Sequence, residues 1–352
     1  MGSVRVRVSR PETVISSVIQ GSVLGPILFI IYIADLPSSA SGGILTFADD
    51  TKLRRAIEGM MDKYALQHDL DQIAGWSRRN NMQLHSEKFE VLNYKLNSTK
   101  EQRALPFTEE CYLYTSPAGE IIDAASWVKD LGIYMADDGT WGRHIATTAK
   151  EGKRMAGWVL GVFRDRSPRT MLTLLKTLVR PKLEYCSPLW SPCTPGDIQR
   201  LEDVQRYFTR KIEECQGMNY WERLQHLKIP SLQRRRERYM IIHAWKMRAG
   251  LAPIIPGFTF YREEERGGRK ATRPKLYSNA QDSVRKARDA SFRMRAALLY
   301  NRMPEKVRMC TTLDSLKVEL GNFLATIPDY PPVKGYPSPR DNSLVALLKE
   351  GI

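Results

Sequence analysis

The chain has 352 residues, 42% apolar and 26% charged. That is enough for two domains with separate cores, and the composition excludes disorder, collagen and a disulfide scaffold. Net charge is +15 and unevenly placed: residues 1–150 carry 16 basic and 18 acidic side chains (−2), residues 151–352 carry 38 and 21 (+17). Lys and Arg displace condensed counterions from a phosphate backbone, so a positive excess confined to one part points to a polyanion partner, with an idle basic surface as the alternative. Cys111, Cys186, Cys193, Cys215 and Cys310 form no Cys-x-x-Cys pair, which argues against a zinc module and suits a reducing compartment. The longest apolar run, residues 23–34, contains Gly25 and Pro26 and is too short to span a bilayer. No signal peptide opens the sequence. These features predict a soluble intracellular protein, nuclear or cytoplasmic, with no membrane contact.

In chain order, Val4, Val6 and Val8 alternate with polar residues and read as an edge strand. Ser22 is placed to cap a helix running to about Asp35, with Pro26 in its first turn, where a missing N–H costs little. Residues 44–48 and 51–57 predict two short strands around the turn Ala48-Asp49-Asp50. Leu66, Leu70, Ile73 and Ser77 follow helical spacing, Trp76 flanks them, and Asn80-Asn81 ends the helix. Short strands are expected near residues 82–84, 89–94 and 127–135.

Residues 144–250 read as helical. Asp197 is the expected N-cap of a helix whose stripe is Ile198, Leu201, Val204, Phe208 and Ile212, with Glu202 paired to Arg206 at i, i+4. A second helix covers residues 231–249 and stops at Gly250. Its Arg234, Arg235 and Arg238 are expected on the face opposite Ile242 and Trp245. Residues 250–274 are rich in Pro, Gly and charge and read as a linker. A last helix is expected over residues 282–300, ahead of a Pro-rich tail at 328–339.

The chemistry concentrates in Phe47-Ala48-Asp49-Asp50. Adjacent carboxylates at a hairpin tip repel one another unless a cation sits between them. Mg²⁺, or Mn²⁺ in its place, takes such oxygens together with substrate phosphates, and two ions can clamp an in-line nucleotidyl transfer. Alone, Asp-Asp is more often a surface turn.

It is accompanied by Gln20-Gly21-Ser22-Val23-Leu24-Gly25-Pro26, then by residues 28–37 and by Phe47-Ala48-Asp49-Asp50-Thr51-Lys52. In that order these blocks resemble the reverse transcriptases of non-LTR (LINE-type) retrotransposons. The first is similar to their motif B and the second to motif C, the catalytic palm hairpin. Residues 76–92, with Asn81, Leu84 and Lys88, are similar to motif D; Asp130-Leu131-Gly132-Ile133 is similar to motif E, the primer grip. The basic helical part, including residues 177–190, looks like the thumb and the segment after it.

The resemblance implies an α+β fold: a partial right-hand palm over residues 1–143, a helical thumb over 144–250, a linker over 251–274 and a basic helical C-terminal segment over 275–352. It implies Asp49 and Asp50 as catalytic metal ligands, Gln20, Gly21 and Ser22 beside nucleotide and template, and Leu131 and Gly132 in the primer grip. Lys88 resembles the motif D lysine, a candidate proton donor to pyrophosphate, against a solvated strand-end lysine. RNA and DNA, as template and primer, are the implied partners.

The departures are as informative. These palms use a third carboxylate upstream of motif B, whereas nineteen residues precede Gln20 here and Glu12 is their one acid. Fingers, endonuclease and Cys/His knuckle have no counterpart. Two readings follow: a reverse transcriptase-related protein that is catalytically incomplete, or a non-catalytic RNA- or DNA-binding protein derived from a retroelement. Phe47 is expected to pack in the core, as are Trp158, Trp190, Trp221 and Trp245. His144, His226 and His243 show no ligand spacing. Arg234-Arg235-Arg236 is expected on a solvated helix face rather than as a phosphate track or nuclear signal.

Overall fold

The computed structural model describes residues 21–94, 113–254, 291–336, 338 and 341–348. The residue 4–8 strand, Gln20, Cys111, most of the 250–274 linker and the first half of the 282–300 helix lie outside the described residues. Two units divide the chain: residues 1–93 with 104–125, and residues 94–103 with 126–352. Both helices and small antiparallel sheets are present, compatible with an α+β class.

In the first unit, α1 (Leu24–Tyr32) begins as expected, with Ser22 Oγ accepting the Gly25 N–H at 2.9 Å. It ends three residues before Asp35, and a 3₁₀ turn at Leu36–Ser39 follows, with Pro37 in its first turn. Strands β1 (Gly43–Phe47) and β2 (Asp50–Arg54) pair antiparallel, with Phe47 opposite Asp50. The second strand is thus shorter than residues 51–57 suggested. Helix α2 (Met60–Arg79) buries Ile73, Ala74, Trp76 and Ser77. Asn80 closes its C-terminus and Asn81 turns left-handed at φ +54°, a conformation Asn tolerates. Trp76 lies at the centre of the small core with Ile33, Leu36 and Ile73, and its Nε1 donates to Asp35 Oδ1 at 3.0 Å.

Residues 82–84 form no strand, and of residues 89–94 only Val91 pairs, in a parallel bridge to Ala124. Two-residue strands β3 (Tyr114–Thr115) and β4 (Ile121–Ile122) also belong to this unit.

The second unit opens with a hairpin, β5 (Trp127–Asp130) and β6 (Ile133–Ala136), where the sequence had suggested one strand over 127–135. Leu131 and Gly132 both take positive φ (+44° and +84°), the pattern of a two-residue hairpin turn whose twist matches the strands.

Helix α3 (Gly142–Val162) then packs on the turn that follows α4 (Pro168–Leu174), on α5 (Arg180–Glu184) and on α7 (Pro195–Thr209). Pro181 lacks the N–H that would reach back to Thr177. The turn before it, Leu175–Val179, widens so that the Arg180 N–H bonds Leu175 O. Gly152 permits the helix contact, because a Cβ there would lie 2.5 Å from Leu183 Cδ2.

Short α6 (Ser187–Trp190) leads to α7, whose N-cap is Thr194 rather than Asp197. Pro195 occupies the first helical position, which moves the cap one place before it, and Asp197 donates its N–H to Thr194 Oγ1. Ile198, Leu201, Val204, Phe208 and Ile212 are buried as predicted. Glu202 is buried instead of pairing with Arg206, which takes Asp203 at 3.2 Å.

After α8 (Tyr220–His226), α9 (Leu232–Arg248) runs from its Ser231 cap to Gly250 (φ +71°), as the sequence implied. Helix α9 carries a second core with α10 (Phe292–Asn301), α11 (Glu305–Arg308), α12 (Leu313–Ala325) and α13 (Leu344–Leu347).

Its arginines contradict the solvated-face expectation. Arg234 and Arg236 are buried, Arg235 forks onto the Glu184 carboxylate through Nε and Nη2, and Arg238 donates to Lys317 O. Arg234 donates to Pro328 O, so the start of the Pro-rich tail is docked on α9. Trp190 and Trp245 fill the cores and Trp221 is partly buried against the first of them. Trp158 is 55% exposed, because it lies on the face of α3 opposite Ala156 and Val159.

Candidate functional site: a carboxylate hairpin and a basic helix face

The hairpin carries its acids where a short loop must put them. Phe47 and Asp50 are the last paired residues, so Ala48 and Asp49 form a two-residue loop. Ala48 sits at φ +51°, a conformation a residue with a Cβ seldom adopts. Asp49 and Asp50 are both exposed and adjacent at the tip. Phe47 is 63% exposed, correcting its assignment to the core, because the register turns it away from α2.

The base of the hairpin is held by Asp69 of α2. Its carboxylate accepts from Ser41 N (2.7 Å), Ser41 Oγ (2.8 Å), Gly42 N (2.9 Å) and Arg55 Nη2 (2.9 Å). Burial works to raise the Asp69 pKa, but hydrogen bonds from Ser41, Arg55 and Gly42 outweigh it and hold it below the usual value. One side chain thus ties the entry of β1 to the exit of β2. Asp69→Ala is expected to unclamp both, costing about 2–3 kcal/mol as four donor groups lose a buried anionic acceptor. Amide exchange at residues 43–54 checks this: protection there should drop while residues 195–209 keep theirs.

Gly21 and Ser22 precede α1 at one end of this unit, Gly21 at φ +81°. Lys88 is exposed on a 3₁₀ turn at Ser86–Lys88, not at a strand end. Among the described residues no group of three His, Cys, Asp or Glu side chains gathers where a metal ion could be held. Asp49 and Asp50 therefore fit a divalent cation in part: two hard oxygen donors that leave the remaining positions to phosphate and water.

In the second unit, Leu131 and Gly132 form the tip of the β5–β6 hairpin, and Tyr185 Oη donates to Leu131 O at 3.1 Å. The outer face of α3 carries Arg143, Lys150, Arg154, Gly157, Trp158 and Gly161, with Lys153 at its edge, all exposed. Their spacing of three and four residues aligns them in one stripe. A Cβ at Gly157 or Gly161 would meet nothing within 4 Å, so the stripe has low relief beside a projecting indole. Arg143 stacks over Trp127 with its guanidinium 3.6 Å from the ring centroid.

Sequence reasoning did not single out this face, although the periodic Arg, Lys and Trp signal was available. His144 is buried beside Trp190, and burial lowers its pKa below the usual value despite the nearby Glu151.

Three curated proteins are similar to this chain in sequence. A probable RNA-directed DNA polymerase from transposon X-element of Drosophila melanogaster is 26% identical over 222 residues, covering 59% of this chain and 23% of the relative. A probable RNA-directed DNA polymerase from transposon BS, also from Drosophila melanogaster, is 27% identical over 227 residues, covering 61% and 24%. The RNA-directed DNA polymerase from mobile element jockey of Drosophila funebris is 24% identical over 208 residues, covering 55% and 21%. The chain is thus related to the reverse transcriptases of LINE-type, non-LTR retrotransposons. The matched stretch spans about a quarter of the length of these relatives. No protein-family profile and no solved structure matches the chain. No helix among the described residues is long and apolar enough to cross a membrane.

Proposed function

We propose that this chain forms the part of a reverse transcriptase that runs from the nucleotide-side loop and catalytic hairpin into the helices that hold template and primer. In this reading residues 1–143 are palm, 144–250 thumb, 251–274 linker and 275–352 a basic C-terminal segment. The observation that carries it is the hairpin tip, where a two-residue loop sets Asp49 and Asp50 side by side and exposed.

Asp49 and Asp50 would hold Mg²⁺ or Mn²⁺ together with substrate phosphates; the ion would supply charge neutralisation at the transferring phosphoryl group. Gln20, Gly21 and Ser22 lie beside the nucleotide, and Lys88 stands as proton donor to departing pyrophosphate. Leu131 and Gly132 form the primer grip, and the α3 stripe lies along a nucleic-acid backbone.

Among the described residues the hairpin offers two carboxylates, Asp49 and Asp50, where the two-ion arrangement implied by the resemblance uses three. The chain by itself is therefore expected to show no primer extension on an RNA template with Mg²⁺ or Mn²⁺. Templated synthesis abolished by Asp49→Ala would overturn that expectation and require a third acid. Broadening of the Mn²⁺ electron paramagnetic resonance signal by the full chain, lost in Asp49→Ala with Asp50→Ala, tests the cation site separately. A non-catalytic nucleic-acid-binding role is favoured by the same gap in the donor set. It predicts RNA binding indifferent to Asp49→Ala.

A further inference from the structure

A groove of about 460 Å³ runs along the outer face of α9, between Tyr239, His243 and Lys246 on one side and Pro181, Tyr185 and Pro188 on the other. That volume lies within the range of sites that seat small molecules, and so does a largely apolar lining with a few fixed polar groups.

The walls are held from behind. Glu184 accepts from Arg235 Nε and Nη2, and the Tyr239 hydroxyl donates to Glu184 Oε2 at 3.2 Å while accepting from Arg235 Nη2 at 2.5 Å. The rim turns at Cys186, whose φ of +49° is unusual for a residue with a Cβ and is of the kind found where backbone strain serves a site. Tyr185 projects there, half exposed, its hydroxyl bound to Leu131 O.

Charge then selects the occupant. The acid in the lining is satisfied by Arg235, whereas Lys246 meets no carboxylate among the described residues. His243 packs edge-on against Phe292, and burial, aided by Lys246, lowers its pKa, so its neutral ring can accept as well as donate. An aromatic slot with one unneutralised cation at its end fits a planar ring joined to an anion. A proline-rich peptide would use the tyrosines and prolines but leave Lys246 unanswered.

We propose that this groove seats one unstacked nucleotide of a single-stranded nucleic-acid segment, its base against Tyr239, Pro181 and Pro188 and its phosphate on Lys246. The proposal rests on the nucleic-acid reading above and assigns single strand to the groove and duplex to the α3 stripe. Aromatic faces stack any base, so sequence matters little.

The test uses the full chain and fluorescence anisotropy with three probes: labelled oligothymidine, the same length of abasic sugar-phosphate, and a hairpin duplex. The abasic strand is expected to bind at least about fivefold more weakly than oligothymidine, as loss of one stacked base implies. Lys246→Gln should weaken oligothymidine about threefold and reduce its log–log salt slope by about 0.7, one phosphate contact. Lys246→Arg should restore both, and the duplex should ignore either change.

Equal binding of abasic and base-bearing strands, or a Lys246→Gln variant that binds oligothymidine normally, overturns the groove while leaving duplex binding intact. Displacement of a bound proline-rich peptide from the groove, with no effect of oligothymidine, overturns it in favour of a peptide site. Failure of all three probes to bind removes the functional reading itself.

Discussion

Glu202→Ala is expected to destabilise the second unit by about 3–5 kcal/mol, because it strips one member from a buried charge network. Glu202 accepts from the Tyr220 hydroxyl at 2.6 Å and from Gln233 N at 2.7 Å, and Tyr220 in turn accepts from Gln205, which holds Arg180. Arg236, 1% exposed, has Glu202 as the largest charge favouring its protonated form, and two of its nitrogens have no hydrogen-bond partner among the described residues. Removing the carboxylate leaves a phenol, an amide and a guanidinium unanswered in low dielectric. The double variant Glu202→Leu with Arg236→Met should recover much of the loss, since an apolar pair avoids the desolvation both charges suffer. Urea midpoints for the two single variants and the double complete the cycle. Additive losses would show that Glu202 and Arg236 do not stabilise each other.

The same interior gives stability a pH dependence. Burial pushes Glu237 up to about 7, although Arg234 and Arg295 oppose it. Its folded pKa thus exceeds its unfolded one, and the native state binds the extra proton between about pH 4.5 and 7. Stability should therefore fall as pH rises through that window, by about 3 kcal/mol from this group. Glu237→Gln, neutral throughout, should flatten the slope.

The parts legible in the sequence were those set by short-range rules. Ser22 and Ser231 cap helices, Gly250 stops one, and Phe47-Ala48-Asp49-Asp50 turns tightly, because capping oxygens and loop length act within four residues. The stripe from Ile198 to Ile212 is buried because periodicity alone decides it.

What was illegible depended on partners far along the chain. Three consecutive arginines look solvated, since Arg is seldom buried without a partner. Here the partners are Glu184, about fifty residues earlier, and the Pro328 carbonyl, about ninety later. Leu131-Gly132 was read for its family likeness and not as a turn, so one strand was expected where two pair. Residue type alone sends Trp158 to the core, although Gly157 and Gly161 around it mark a face on which nothing among the described residues packs. The site residues Asp49 and Asp50 were found because local sequence fixes both the turn and the carboxylates; the α3 stripe was missed because its basic residues are dispersed.

The burial of Arg180, Arg223, Arg234 and Arg236 moves the nucleic-acid surface proposed above, and with it the expected salt response. Those side chains cannot reach a phosphate, so charge counts overstate the basic surface of this unit. Among the exposed basic side chains, Lys150, Lys153 and Arg154 of α3, with Arg164 and Arg169 beyond it, are the ones expected to make the contacts. Four to five phosphates neutralised on duplex imply a log–log salt slope of about −4, hence a loss of affinity of roughly 150- to 500-fold between 50 and 200 mM salt. Base sequence should matter little, because backbone contacts position without reading base edges. Replacing Lys150 and Arg154 by Gln should reduce the slope by about 2 and weaken binding at low salt. Trp158→Ala should weaken binding with the slope unchanged, since an indole contributes contact without releasing a counterion. Anisotropy titrations at five salt concentrations decide it. A flat response, or a Lys150/Arg154 variant with the full slope, would place the phosphate contacts elsewhere and leave the α3 stripe as a solvated helix face.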